Sequence, residues 1–217
     1  MTREILLVPH ANREQNLQAT SRAAELLQDA GITVRVCADE KVLPGLKHVP
    51  HTEDAASGCE LVLVLGGDGT FLRAADMARS VDIPVLGINL GHVGFLAEWE
   101  VESLDQALVR VIDKRYRIED RLTIDVTIFD EEGTLLNRSW ALNEASVENQ
   151  NRSGVLDAIL EVDRRPVSSF GCDGVLISTP TGSTAYAFSA GGPVLWPSLD
   201  AILVVPNNAH ALFTKPL

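Results

Sequence analysis

Five consecutive apolar residues, Leu61-Val62-Leu63-Val64-Leu65, run straight into Gly66-Gly67-Asp68-Gly69-Thr70, and a helix-forming stretch begins at once. An unbroken apolar run of that length is the pattern of a strand covered on both faces, which implies a parallel sheet between helix layers. Glycines in the turn permit positive φ and let the backbone come close to a ligand. The unsatisfied N–H groups of the following helix, with its dipole, favour a phosphate at that point, and Thr70 is suited to cap the helix. On shape alone the turn is equally a tight, well-capped connection. The acid decides between the two. A carboxylate beside anionic phosphates is unfavourable unless it holds a metal ion or takes a proton, so Asp68 points to chemistry. A Walker loop would need Gly-Lys-Ser/Thr, which is absent, and a dinucleotide fingerprint fits Gly67 and Gly69 but meets Leu72 at its third glycine.

The flanking sequence extends the same architecture. Ile5–Val8 reads as a strand, residues 11–30 as a helix with an apolar stripe ending at Gly31, a residue suited to a left-handed helix terminus, and Ile32–Val36 as a second strand. Phe71–Arg79 reads as a helix, Pro84–Ile88 as a buried strand and Ser103–Ile112 as an amphipathic helix. After about residue 116 the period changes. Leu122, Ile124, Val126 and Ile128 alternate with polar residues, the pattern of a half-solvated strand. Further strands are expected over Leu135–Leu142, Val155–Val162, Val167–Phe170, Val175–Ile177 and Ala201–Val205, with turns at Asp130–Gly133 and Asp163–Pro166. The expected fold class is α/β: a parallel α/β nucleotide-binding domain over residues 1–116, then a mainly antiparallel β domain over 117–217. That second domain looks C-terminally incomplete, because the strand at Ala201–Val205 is followed by no terminating element.

Composition narrows the function classes. Hydrophobic residues make up 46% and charged residues 22% of the 217, an ordinary globular balance. No apolar run approaches a membrane span, and the N-terminus lacks the pattern of a secretory leader. The net charge of −12 argues against nonspecific nucleic-acid binding while leaving room for a small anionic ligand held by backbone N–H groups and a metal ion. Cys37, Cys59 and Cys172 are odd in number and scattered, which points away from disulfides and zinc and towards a reducing cytoplasm. The five histidines show no metal-ligand spacing, so no protein metal site is expected.

Two further segments carry chemistry. In Ser178–Gly192, six hydroxyl side chains lie between Thr179 and Ser189. Hydroxyls both donate and accept, so they can line a ribose and phosphates without adding charge, and Tyr186 offers a face for a base; a polar loop rich in caps would look the same. Asn143-Glu144 offers an amide and a carboxylate suited to a ribose diol or an adenine edge. Asp173, within Gly171-Cys172-Asp173-Gly174, is by default a turn aspartate.

Together, and in this order, the segments GGDGTFLRAA (66–75), PVLGINLGHVGFLAE (84–98), LNEASVE (142–148) and DGVLISTPTGSTAYAFSAGGPVLWPSL (173–199) resemble the NAD kinase family. GGDGT alone is shared with lipid kinases and phosphofructokinases; the Asn-Glu pair and the TPTGSTAY segment narrow the choice. The resemblance implies NAD bound between the two domains. It implies transfer of the ATP γ-phosphate to the 2′-hydroxyl of the NAD adenosine ribose, with Mg²⁺, by a cytoplasmic homo-oligomer (dimer or tetramer). By motif, Asp68 is similar to the catalytic aspartate that accepts the 2′-hydroxyl proton, and Gly67, Gly69 and Arg73 are similar to binding positions around it. Asn143 and Glu144 resemble ribose and adenine contacts. Asp173 and the run Thr184, Ala185, Tyr186, Ala187, Phe188 and Ser189 resemble the remaining NAD contacts. Family members usually carry several more strands after the position of Leu217. Two rivals stay open: a lipid or sugar kinase sharing the GGDGT turn, and a non-catalytic NAD(P)-binding regulatory fragment.

Overall fold

In a computed structural model of the chain, which describes residues 2–10, 14–37, 45–89, 96, 99–100, 103–149 and 154–209, two compact units are present, Met1–Ile118 and Glu119–Leu217. The first is built on six parallel strands: β1 (Glu4–Pro9), β2 (Thr33–Cys37), β3 (Lys47–Val49), β4 (Leu61–Leu65), β5 (Val85–Asn89) and β6 (Trp99–Glu100). Their order across the sheet is β3-β2-β1-β4-β5-β6.

The alternation of side chains along β1 and β4 explains why both strands read as continuous apolar runs. Ile5, Leu7, Leu61, Leu63 and Leu65 face one side, where they meet Ala23 and Leu27 of helix α1 (Glu14–Asp29) and Leu104, Leu108 and Val111 of helix α3 (Leu104–Ile112). Leu6, Val8, Val62 and Val64 face the other side and meet Ala74, Met77 and Ala78 of helix α2 (Asp68–Arg79). Each strand therefore buries both of its faces. Gly31 takes φ +76° just past the end of α1, as its place in the sequence suggested.

The strand order fixes where a ligand can enter. From β1 the chain moves outward through β2 and β3, then returns to lay β4 against the opposite edge of β1. The connections after β1 and β4 leave to opposite faces of the sheet, which opens a crevice at the carboxyl ends of these two strands. Pro9 and Leu65 are register partners at that edge, and the His10 N–H donates to the Leu65 carbonyl at 2.9 Å. The Gly66–Thr70 turn starts from this point.

Among its described residues the second unit contains three antiparallel sheets: a hairpin of β7 (Ile124–Phe129) and β8 (Leu135–Ala141), a hairpin of β10 (Leu156–Val162) and β11 (Arg165–Cys172), and a three-stranded sheet in the order β13-β12-β9. Here β9 is Glu144–Glu148, β12 is Gly174–Ser178 and β13 is Leu203–Asn207. The expected turn over Asp163–Pro166 is tighter than the sequence suggested. Only Asp163 (φ 52°) and Arg164 (φ 64°) form it, the two-residue geometry that matches strand twist. Strand β11 then begins at Arg165 and takes in Pro166, beside an irregularity in register at Leu160/Glu161, a place where a strand tolerates proline. Three short strands, β3, β6 and β9, were not legible as strands.

Candidate functional site

The glycine-rich turn differs from the sequence expectation in two respects. Helix α2 begins at Asp68, three residues before Phe71, with Gly67 as its N-cap at φ −88°, ψ −171°. Thr70 is therefore inside the first turn and caps nothing; its N–H donates to the Gly67 carbonyl at 3.0 Å. The cause is electrostatic: an aspartate at the first helical position complements the helix dipole, so the helix starts before its apolar periodicity does. Secondly, none of Gly66, Gly67 and Gly69 is among the positive-φ residues, so their value lies in missing side chains. A Cβ on Gly66 would sit 2.7 Å from Thr70 Oγ1 and 3.1 Å from the His10 Cβ, whereas a Cβ on Gly67 or Gly69 would meet nothing within 4 Å among the described residues. Gly66 is thus required by the chain's own packing, and Gly67 and Gly69 face open space into which a ligand can come close.

Asp68 is held in place on this turn. Its Oδ1 accepts the backbone N–H of Leu96 at 3.1 Å. Five residues along the same helix, Arg73 extends its Nη2 to the Pro9 carbonyl at 3.0 Å. The guanidinium so braces α2 against the carboxyl end of β1, and Gly67, Asp68, Gly69 and Arg73 form one group at the crevice. The rest of the 84–98 motif between Leu90 and Gly94 lies outside the described residues, as do Phe95, Ala97 and Glu98.

In the second unit, Asn143 and Glu144 stand at the start of β9, where Glu144 pairs with Ser178 of β12. A 3₁₀ turn at Thr181–Thr184 and a short helix α4 (Tyr186–Ser189) follow β12. The carbonyl of Asn143 accepts the Thr179 N–H at 2.9 Å and the Ser178 hydroxyl at 3.3 Å. The Thr179 hydroxyl donates to the Leu142 carbonyl at 2.5 Å and accepts the Gly182 N–H at 3.0 Å. These contacts revise the reading of the hydroxyl cluster. Thr179 and Ser183 are fully buried, and Ser183 donates to the Pro180 carbonyl at 2.7 Å while accepting the Leu195 N–H at 2.8 Å. Their hydroxyls fold the loop and do not line a ligand. The reason is the absence of regular backbone pairing here, which leaves buried amides and carbonyls to be satisfied by side chains.

Three polar atoms in this region are the exception. Asn143 Oδ1, Glu144 Oε2 and Thr181 Oγ1 are buried without a hydrogen-bond partner among the described residues. Native structures rarely leave such groups unpaired, which makes these three atoms candidates for contact with a ligand. Burial pushes the Glu144 carboxyl above its ordinary range, opposed in part by a hydrogen bond from the Tyr186 backbone N–H. Tyr186 and Phe188 are exposed, whereas Ala187 is fully buried with Leu176, Leu203 and Val205. Asp173 is linked to this group through residues the sequence reading passed over. Its Oδ2 accepts from Asn208 Nδ2 at 2.9 Å, and the neighbouring Asn207 donates through Nδ2 to the Tyr186 hydroxyl at 3.1 Å. The tandem asparagines after Pro206 were the available signal. Among the described residues no group of three or more His, Cys, Asp or Glu could hold a metal ion, and no helix is long and apolar enough to cross a membrane.

Comparison with known proteins agrees in both units. A model for the ATP-NAD kinase N-terminal domain matches residues 5–116, and one for the ATP-NAD kinase C-terminal domain matches residues 142–217. The chain is 69% identical over 223 residues to the NAD kinase of Corynebacterium efficiens, covering 99% of this chain and 70% of that protein. It is 73% identical over 203 residues to the NAD kinase of Corynebacterium glutamicum, covering 90% and 70%. Its fold is similar to that of yeast NADH kinase complexed with NADH, with a TM-score of 0.88 at 24% identity, covering all of this chain and 69% of the other. An NAD kinase from Archaeoglobus fulgidus in complex with ATP matches with a TM-score of 0.70 at 25% identity, covering all of this chain and 76% of the other.

Proposed function

This chain belongs to the NAD kinase family, and on that premise we propose that it transfers the γ-phosphate of ATP to the 2′-hydroxyl of the NAD adenosine ribose, giving NADP and ADP. The observation that carries the site assignment is Asp68: a carboxylate at the first residue of α2, at the crevice between β1 and β4, flanked by two glycines that face open space. In this reading Asp68 takes the proton of the 2′-hydroxyl as its oxygen attacks the γ-phosphorus, and the bond to the ADP oxygen breaks. Phosphoryl transfer depends on positioning and charge neutralisation more than on covalent chemistry, and the N-terminal dipole of α2 supports both. Gly67 and Gly69 let the backbone come close, and Arg73 braces the turn.

Asn143 and Glu144 take the ribose and adenine, with Asp173 and the Thr184–Ser189 run completing the NAD contacts. The unpartnered Asn143 Oδ1 and Glu144 Oε2 support this reading, because a nucleoside brings hydroxyl and amine donors to two waiting acceptors. Membership of the NAD kinase family favours a nucleotide over a lipid or sugar as the acceptor of phosphate.

Magnesium fits as an ion that travels with ATP. Such ions commonly rely on one or two carboxylates plus substrate phosphates; Asp68 offers one, with Oδ1 already accepting the Leu96 N–H. The ion supplies neutralisation of charge on the transferring phosphate. A cytoplasmic enzyme working as a homodimer or homotetramer completes the proposal.

The test is NADP formation from purified protein, NAD, ATP and Mg²⁺, followed through a coupled dehydrogenase. Steady NADP production is expected from the wild type. Asp68→Asn should lower kcat by about 10²–10⁴-fold, the range for loss of a general base, with KM for NAD changed little. Absence of NADP from folded wild type would overturn the activity, and full activity in Asp68→Asn would overturn the base assignment.

A further inference from the structure

Asn143 and Glu144 present their ligand-facing atoms without any side-chain partner there to aim them. Asn143 Oδ1 and Glu144 Oε2 are both unpaired among the described residues; the Tyr186 backbone N–H reaches the Glu144 carboxyl, while Asn143 takes its aim from the backbone from which it projects. That backbone is gripped at two successive carbonyls. The Leu142 carbonyl, in the peptide before Asn143, accepts the Thr179 hydroxyl at 2.5 Å. The Asn143 carbonyl, in the peptide after it, accepts the Thr179 N–H at 2.9 Å. One residue therefore fixes the peptide planes on both sides of Asn143, and hence its φ and ψ. The same hydroxyl accepts the Gly182 N–H at 3.0 Å, which ties the start of the 3₁₀ turn to the same point, and Thr181 in that turn carries the third unpaired atom. Thr179 is fully buried, so water does not substitute for these bonds.

We propose that Thr179 is a positioning residue for nucleotide recognition: a single hydroxyl that sets Asn143, Glu144 and Thr181 in register with one another without touching the ligand itself. The proposal rests on the reading of Asn143 and Glu144 as the NAD-binding pair. Both ends of the hydroxyl are in use, as donor to Leu142 and as acceptor from Gly182, so no bonding capacity is left for a ribose or phosphate beyond one lone pair. Removing the hydroxyl at constant shape should loosen the junction between the Leu142–Asn143 segment and the Thr179–Gly182 turn, let Asn143 rotate, and weaken NAD binding. ATP, recognised elsewhere by Asp68 and its turn, should be little affected.

The experiment compares wild type with Thr179→Val, Thr179→Ser and Ser178→Ala, measuring NAD affinity by equilibrium dialysis and KM for NAD and ATP separately. Thr179→Val should weaken NAD affinity and raise KM for NAD by about tenfold or more, the usual effect of losing a buried hydrogen bond, with KM for ATP within about twofold. Thr179→Ser, which keeps the hydroxyl, should restore both to near wild type. Ser178→Ala removes the longer bond to the Asn143 carbonyl at 3.3 Å together with the Ser178 hydroxyl's bond to the Thr179 carbonyl at 3.0 Å, leaves both Thr179 bonds to the Leu142 and Asn143 carbonyls in place, and should raise KM for NAD by about two- to threefold. A purely structural role would lower the yield of active enzyme and the Tm of Thr179→Val while leaving KM for NAD unchanged, and that result would overturn the proposal. If Thr179→Val does not fold, an unchanged KM for NAD in Ser178→Ala overturns it, and the expected rise supports it. Wild type that binds no NAD would instead overturn the assignment of Asn143 and Glu144, and the positioning role with it.

Discussion

Gly182 crosses Asn143 so closely that no side chain fits between them: a Cβ on Gly182 would lie 2.0 Å from the Asn143 carbonyl oxygen and 2.6 Å from its Cα. Both neighbours are backbone, held by Thr179, so neither can swing aside. Gly182→Ala should therefore force the loop away from β9, destabilising the second unit by about 3 kcal/mol and abolishing measurable NAD binding. Urea unfolding monitored beside NAD titration checks both effects, and wild-type affinity in this variant would show the crossing to be soft.

Gly67→Ala should behave in the opposite way. Its Cβ meets nothing within 4 Å among the described residues, and φ −88°, ψ −171° is open to alanine. Stability should change by less than about 1 kcal/mol, the scale of an N-cap glycine-to-alanine change. Catalysis should suffer far more, with kcat/KM falling about 100-fold as the methyl displaces the reacting groups. Melting curves and steady-state kinetics on the same preparation separate the two; equal losses in both would place a protein neighbour where none is described.

Glu144→Gln should trade binding for stability. Burial raises the Glu144 pKa above its ordinary 4.5, so the folded state favours the protonated form. Its contribution to stability is full below pH 4.5 and is lost as pH rises through the raised value, because an ionised carboxylate must then remain buried. Glutamine carries no such charge. The Tm of the ligand-free variant should exceed that of wild type at pH 8, and the gap should close near pH 4, while NAD affinity falls at both. A Tm difference that does not vary with pH would rule out burial of charge as its cause.

Arg3 and Glu60 should give the reverse dependence. Two Arg3 nitrogens donate to the Glu60 carboxylate at 2.8 and 2.5 Å, and the same guanidinium reaches the Val111 and Ile112 carbonyls at the end of α3. The hydrogen bonds from Arg3 hold the Glu60 carboxyl below its ordinary range. The resulting stabilisation is present above pH 4.5 and is lost as pH falls through the depressed value. Glu60→Gln should cost about 0.5–1 kcal/mol at pH 7, the scale of a partly exposed ion pair, and nearly nothing at the lowest pH at which the protein remains folded. Urea midpoints at the two pH values measure this directly.

Much of this architecture can be read from residues that answer to a single local rule. Leu61–Leu65 reads as a doubly covered strand because every side chain in it is apolar, and Gly31 reads as a helix terminus because few residues accept its backbone. Asp68 stands out because a carboxylate beside phosphates is unfavourable unless it takes a proton or holds a metal ion. Other features have no local signature. Strands of two or three residues such as β6 and β3 are too short to show a period, and β9 shares its segment with the Asn143-Glu144 pair. Whether a buried hydroxyl faces a ligand or a carbonyl depends on what the fold brings opposite it: Thr179 and Thr181 are two residues apart, yet one hydroxyl is satisfied on both sides and the other has no partner among the described residues. The amides of Asn207 and Asn208 find Tyr186 and Asp173 only because β13 returns beside β12.

The strand order has a kinetic consequence. β4 reaches its place only by pairing Ile5 with Leu61 and Leu7 with Leu63, across the whole intervening stretch that contains α1, β2 and β3. Long-range parallel pairings of this kind form slowly, because the loop must close before any contact rewards it. The crevice that holds Asp68 comes into being with that pairing and not before. A chain caught midway through folding has its glycine turn but no opposing strand, so the crevice around Asp68 and the pairing of β4 with β1 should appear in a single kinetic phase.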